Sequence, residues 1–221
     1  MTDRLAALIA DAPGLARASH LNTARVPVLP AFGDILPERG LRPGSMLSVS
    51  GTGATSLALG LVAEASKTSW TACVGLPELG LAAGEELGVD LDHLVVVPDP
   101  KDQWTDVLAA LVDAFDVVLA RPPATRIARK LSGRVRERDA VLVAIGDWPD
   151  SDVRLHGTVS RWHGIGAGHG HLAARTLEIT VTGRRAAARP RRTTLWLPDV
   201  EGEIRVHNDA SVTRLPTAVT A

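Results

Sequence analysis

Aromatic residues are scarce in this chain: five Trp and two Phe, with no Tyr, make up 3% of it. A protein that stacks bases along a strand interleaves aromatics with cations. The basic segments here carry almost none, which argues against a stacking platform. Cysteine is scarcer still. Cys73 is the single one, so no internal disulfide can form. It sits in the apolar run Trp70 to Val74 and reads as buried core rather than as a nucleophile. Nowhere do about 18 apolar residues run together, so no membrane-spanning segment is expected. The opening MTDRLAALIADAPG carries acidic residues and no long apolar stretch, so no signal peptide is expected and the cytoplasm is the expected compartment. There is no internal repeat, and no Ser–His–Asp or Cys–His arrangement shows motif-level spacing.

What is present suits one α/β domain with short extensions: 221 residues, 45% of them hydrophobic. The formal charge of −1 conceals a segregation. Residues 1–120 hold 7 basic and 15 acidic side chains, residues 121–192 hold 15 and 6, and residues 193–221 hold 2 and 4. The basic block suits nucleic acid or an acidic protein partner; a solvated surface in an Arg-rich chain is the plainer alternative.

Leu5, Leu8 and Ile9 have the spacing of a short amphipathic helix. Residues 13–45, rich in Pro and Gly, read as a linker with turns. From residue 46 strands and helices alternate: strands over 46–50, 70–76, 93–99, 116–120 and 140–146, and helices over 57–67, 79–88, 103–115 and 125–136. The strands are nearly continuous apolar runs. The expected fold class is therefore α/β, a mostly parallel sheet with helices on both faces. Residues 153–164, 175–184, 193–197 and 203–207 read as antiparallel strands added toward the C-terminus at one edge. The expected organisation is an N-terminal helix and linker over 1–30, a core domain over 31–206 and a flexible tail over 207–221.

The loop Gly51-Thr52-Gly53-Ala54-Thr55-Ser56 lies between the first core strand and a helix, where P-loop proteins hold phosphate on helix N–H groups. A working loop needs a Lys followed by Ser or Thr. The hydroxyls are here and the Lys is not. Lys67 is about eleven helical residues away, roughly 16 Å at ~1.5 Å per residue. The loop is also short. A second requirement, an acidic residue ending a later strand to hold Mg²⁺, fails independently: strand 116–121 ends in Ala120 and Arg121. The glycines read equally well as nothing more than a turn.

Residues 32–146 resemble the RecA recombinase core in order and spacing. Phe32-Gly33-Asp34-Ile35-Leu36-Pro37-Glu38-Arg39-Gly40-Leu41-Arg42-Pro43-Gly44-Ser45 is similar to the segment leading into that family's first core strand. Glu86 to Asp99, ELGVDLDHLVVVPD, is similar to its helix–turn–strand. The shortened loop Ser50 to Leu57, the segment Val74-Gly75-Leu76-Pro77-Glu78-Leu79-Gly80 and the Arg/Ala-rich, Lys-poor composition resemble ImuA-type proteins, in particular the actinobacterial ImuA′ branch. That resemblance implies a non-catalytic RecA-like accessory subunit of an SOS-induced translesion-synthesis complex, nucleoid-associated on DNA damage. The implied partners are ImuB, an inactive Y-family polymerase relative, and an error-prone C-family polymerase; direct DNA contact stays open. Departures from RecA support inactivity. Pro77 falls where the family's catalytic Glu ends the second strand, with Glu78 one residue late. The segment Asp147-Trp148-Pro149-Asp150-Ser151-Asp152, in place of a DNA-gripping loop, is short and acidic. No cofactor, catalytic residue or metal site is expected. Two alternatives remain: a weak DNA-dependent ATPase using Thr55 and Ser56, and a SulA-like cell-division inhibitor.

Two basic sets are candidates for DNA or partner contact. Arg126, Arg129 and Lys130 share a helix face by their spacing, and Arg184, Arg185, Arg189, Arg191 and Arg192 form a dense run. His156, His163, His169 and His171 lie in a Gly-rich stretch read as a hairpin, since no Cys or spaced carboxylate completes a metal site. Trp162 and Trp196, in the antiparallel strands, read as core packing by default and as interface anchors if exposed.

Overall fold

Five short apolar segments have only one way to hide both faces: side by side in a sheet with helices above and below. A computed structural model describes residues 25–122, 128–166, 169–184, 187–207 and 213–214 and shows that arrangement. In chain order the elements are α1 (Pro30–Gly33), β1 (Met46–Gly51), α2 (Ala54–Ser66), β2 (Thr71–Val74), α3 (Leu81–Glu86), β3 (Leu94–Val97), α4 (Trp104–Ala114), β4 (Val117–Ala120), α5 (Ala128–Glu137) and β5 (Val141–Ile145). They are followed by β6 (Val153–Gly166), β7 (His169–Gly183), β8 (Arg191–Trp196), β9 (Arg205–Val206) and β10 (Thr213–Arg214). One mixed sheet runs β10-β8-β7-β6-β1-β5-β4-β2-β3, with β9 on β8. The six strands from β6 to β3 are mutually parallel, and β7 to β10 add in antiparallel fashion.

The first of the late strands was expected to be antiparallel to the core and is not: β6 joins β1 in parallel, Leu47 opposite Val153. Parallel connections usually need a dozen or more residues. Here residues 146–152 suffice, because β5 ends level with Val49 and β6 begins level with Leu47. The chain retraces only about 7 Å at ~3.3 Å per residue. Trp148 plugs this crossover. It is buried, its backbone N–H donates to Ser48 Oγ at 2.9 Å and its indole N–H to Ser132 Oγ at 3.1 Å. Asp152 accepts the Met46 N–H at 3.1 Å.

Each face of the sheet has its own core. Leu47, Val49, Val117, Leu119, Val141 and Val143 point to one side, under α2 and the strap of residues 25–45. Met46, Ala72, Val118, Leu142 and Ala144 point to the other, under α4 and α5. The strict alternation along each strand is the period-2 geometry of an extended chain. Helix α2 is buried almost all round, from Leu57 to Ala63, because the strap closes over its outer side. Gly60 makes this possible: a Cβ there would lie 2.5 Å from Ile204 Cδ1 and 3.2 Å from the Phe32 ring.

The stretch expected as a linker is therefore core. Val26, Phe32, Ile35, Leu36 and Leu41 are all buried, and Val26 bridges Leu41 in antiparallel sense. Its irregular backbone hid it, since burial without a repeat leaves no periodic signal. The helix expected on Leu5, Leu8 and Ile9 lies outside the described residues. Of the expected tail, His207 donates its N–H to the Thr194 carbonyl at 2.9 Å and β10 pairs with β8, so these residues extend the sheet. The rest of it is outside the described residues.

Arg191 ties the strap to the sheet. Its Nη1 reaches the carbonyls of Ile35 at 3.1 Å and Leu36 at 3.0 Å, with Asp34 O at 3.4 Å. These are carbonyls at the end of α1, where a cation is favoured. Replacing Arg191→Met keeps the stem and removes the donor. Hydrogen bonds from a charged group contribute about 1.5–3 kcal/mol, so urea unfolding followed by circular dichroism should show a loss of that order with the slope unchanged.

Candidate functional site

The place where a nucleotide would sit is reached from β1. That strand ends at Gly51, and α2 begins at Ala54, so only Thr52 and Gly53 separate them. Two residues make a turn, not an arch that can wrap a phosphate. Gly51 and Gly53 both hold positive φ, +79° and +70°, the left-handed region that favours glycine. Gly53 is the N-cap of α2 and offers no side chain, and no acidic residue lies in the first turn. Ala54, Thr55 and Ser56 are half-buried.

One side of this turn is closed by the sheet itself. The Thr52 N–H donates to the Gly157 carbonyl at 3.0 Å. A methyl added at Gly51 would collide with that carbonyl, and one added at Gly157 would collide with Thr52 O. Backbone meets backbone, and only glycine on both sides permits it. Over Gly53 stand Leu177 and the Arg175 guanidinium, 3.2 and 3.6 Å from where a Cβ would be. Arg175 donates Nε–H to Leu197 O at 2.7 Å, and its half-burial lowers its pKa. Neither Gly157 nor Arg175 was a sequence candidate. A glycine inside a strand pattern does signal close backbone approach, so Gly157 was findable; Arg175 had no local mark.

The second nucleotide requirement concerns the end of β4. Strand β5 separates β4 from β1, so the end of β4 lies two strands from the loop. Ala120 is buried there. Arg121 continues the strand pairing with its N–H on Val74 O at 3.0 Å, and its carbonyl accepts the Trp104 indole N–H at 3.1 Å. Its guanidinium forms an ion pair with Glu78. The carboxylate next to Pro77 is thus matched to the cation that follows β4. Both side chains are substantially exposed, so the pair contributes little stability. Its consequence is electrostatic: an arginine here opposes a divalent cation.

Cys73 is fully buried on β2, and burial pushes its thiol up to about 12, with the Arg121 charge opposing weakly. The neutral thiol is inert.

The two basic sets are described only in part. Arg126 and Arg185 lie outside the described residues. Arg129 and Lys130 fall in the first turn of α5, whose side chains are outside the described set. Further along α5, Arg134 and Arg138 both bind Asp113 of α4, at 2.5–2.8 Å and 3.0 Å. Hydrogen bonding from Arg134 holds the Asp113 carboxyl below its usual range. Arg184 and Arg189 are exposed. Arg191 and Arg192 are consecutive in β8 and so project to opposite faces; the first is committed to the strap and the second is exposed.

The histidines are dispersed. His156 Nδ1 is 3.0 Å from Ser50 Oγ, and His163 Nε2 is 3.1 Å from Thr176 Oγ1. Among the described residues no three metal-ligating side chains converge. Trp196 is half-buried between the His163 and His207 rings, at 5.0 and 4.9 Å. Trp162, expected by default in the core, is 47% exposed.

With this geometry in place, the chain can be compared with known proteins. A family model described as "MT3502 N-terminal domain" matches residues 34–150. That span runs from the strap through β5 to the crossover and stops just before β6. The uncharacterized protein Rv3395c of Mycobacterium tuberculosis (strain ATCC 25618 / H37Rv) is similar to this chain, 37% identical over 131 residues, 56% of this chain and 63% of that protein. The match thus spans less than two thirds of that relative's length.

Two outcomes test the site. Gly157→Ala forces a methyl onto the Thr52 carbonyl and should lower stability by about 1–3 kcal/mol, the usual cost of overpacking, measured by chemical denaturation. Cys73 should be unreactive to a thiol reagent at pH 8 in the native state and react fully in denaturant. The unfolded thiol ionises near 9.0 and the folded one near 12, so the neutral-thiol contribution is intact below pH 9 and is lost progressively as pH rises toward 12.

Proposed function

We propose, for a chain that belongs to the MT3502 N-terminal domain family, that it is a non-catalytic, RecA-like accessory subunit of ImuA type. It acts as an adaptor in error-prone translesion synthesis. It holds an ImuB-like inactive Y-family polymerase and, through it, an error-prone C-family polymerase, and it works at damaged DNA in the nucleoid. One observation carries the non-catalytic part: the turn that should cradle phosphate is two residues long and is pinned to Gly157 on one side. Arg121 at the end of β4 adds to it, since a cation there disfavours Mg²⁺.

The adaptor part rests on the resemblance of the strap, the shortened loop and the segment Val74 to Gly80 to ImuA-type proteins. It is supported by economy of structure. The fold keeps a large two-sided core while the positions a nucleotide would need are short, closed or of the wrong charge. What then distinguishes the chain is its surface. Among the described residues no helix is long and apolar enough to cross a membrane.

Two measurements test this reading. Titration with ATP–Mg²⁺ in a calorimeter should give no binding heat up to millimolar nucleotide, with or without single-stranded DNA; micromolar affinity, or turnover that Ser56→Ala abolishes, would establish the weak ATPase instead. Mixing with a purified ImuB-like polymerase should give a complex that co-elutes in gel filtration, and failure to do so removes the adaptor role.

A further inference from the structure

Strands β6 and β7 outrun the sheet that supports them. β1 accompanies β6 only as far as Gly51 opposite Gly157, and β8 reaches β7 only at Trp196 opposite Thr176. Residues 158–166 and 169–174 therefore form a two-stranded ribbon whose outer edges have no strand neighbour among the described residues, with Arg175 at its base bonded to Leu197 and Pro198. At ~3.3 Å per residue it extends roughly 25–30 Å. Two strands alone bury too little to be stable, so such a ribbon is costly to keep unless something covers it.

The ribbon concentrates exposed apolar side chains. Val159, Trp162, Ile165 and Leu172 are 52%, 47%, 60% and 52% exposed. The other large exposed hydrophobics, Leu81 and Val200, stand on separate elements. Single exposed apolar residues are ordinary, whereas several close together mark a docking surface; the pairing puts Ile165 and Leu172 on one face of the ribbon and Trp162 with Arg175 on the other. The charge is equally one-sided. From Val153 to Leu177 there is no Asp or Glu, while Arg154, Arg161, Arg175 and four His are present. Arg175 stands over Trp162, its guanidinium carbon 5.2 Å from the ring centre, with Nε held on Leu197 O. Trp and Arg are the side chains that dominate interface energetics, and this pair is already ordered.

The chemistry distinguishes the occupants. Phosphate binding grows with the number of free Lys and Arg. The projecting part of the ribbon has only Arg161 and Arg175, and the second is engaged. Four exposed apolar side chains gain nothing from a phosphate backbone. The matching surface is a protein cleft with an apolar floor and carboxylates at its rim.

We propose that the ribbon of residues 158–166 and 169–175 is the arm by which this chain grips its protein partner, seating Ile165 and Leu172 on one face and Trp162 on the other in an apolar cleft rimmed by carboxylates. The inference rests on the adaptor reading above and names the surface that serves it.

The test measures affinity of the full chain for a purified ImuB-like polymerase by biolayer interferometry, with Ile165→Glu/Leu172→Glu and, separately, Arg161→Glu. All three positions are on the ribbon and away from both cores; thermal melts check that the fold is kept, and Arg161→Glu carries the test if the double variant unfolds. The double variant should bind at least tenfold more weakly. Arg161→Glu should lose several-fold at low salt and less at high salt. Wild-type affinity in the folded variants overturns the arm while leaving the adaptor reading intact. No binding by the wild-type chain overturns both. If the variants keep polymerase affinity but lose binding to a fluorescein-labelled DNA oligonucleotide, or convert a dimer to a monomer in sedimentation, the ribbon serves nucleic acid or a second copy and the proposal is overturned.

Discussion

The contact between the turn after β1 and the backbone of β6 organises everything around it. Gly51 and Gly157 face each other across a parallel pair, and the Thr52 N–H donates to the Gly157 carbonyl. Such an approach leaves no room for a Cβ on either strand. Once it is made, β6 is held alongside β1 over its first five residues, Val153 to Gly157, and α2 must start at once. The arch that a phosphate needs has no chain left to form it. The same contact places Leu177 and Arg175 above Gly53 and aims the remainder of β6 and β7 past the edge of the sheet. A closed site and a projecting ribbon are two results of one packing event.

Charge follows a related logic. The sequence divides into an acidic first half and a basic middle, but folding spends much of that difference internally. Asp113 takes Arg134 and Arg138, Glu78 takes Arg121, and Arg191 serves three carbonyls of the strap. Among the described residues, Arg161, Arg184, Arg189 and Arg192 stay exposed, and the ribbon lacks carboxylates. Net charge of a segment therefore says little about the field at its surface until the pairs are known.

The matched family span ends at Asp150, and the supporting architecture changes there too. Before it lie the parallel strands and the two-sided core. After it come the long antiparallel strands, the exposed apolar side chains and the Trp162–Arg175 pair. The first part resembles a nucleotide-binding fold in its order of elements, and the second part carries the surface to which the partner proposal is attached.

Sequence by itself determined the alternation of strands and helices, because apolar runs of four to seven residues bounded by Gly and Pro are local signals. It also determined the absence of a phosphate-binding Lys and of an acidic residue after β4, which need no coordinates to read. The strap of residues 25–45 was not legible, since its burial comes from Phe32, Ile35 and Leu36 meeting α2 with no repeat to reveal it. Nor was the parallel entry of β6, which depends on the stagger between β5 and β1. The basic run at 184–192 promised a patch, and only the strand geometry of β8 separated Arg191 from Arg192. Trp162 read as core until the ribbon was seen to pass beyond β1 and β8. Local pattern specifies which elements form; which faces are covered depends on contacts between residues far apart in the chain, such as Gly51 with Gly157, and those are decided only when the sheet closes.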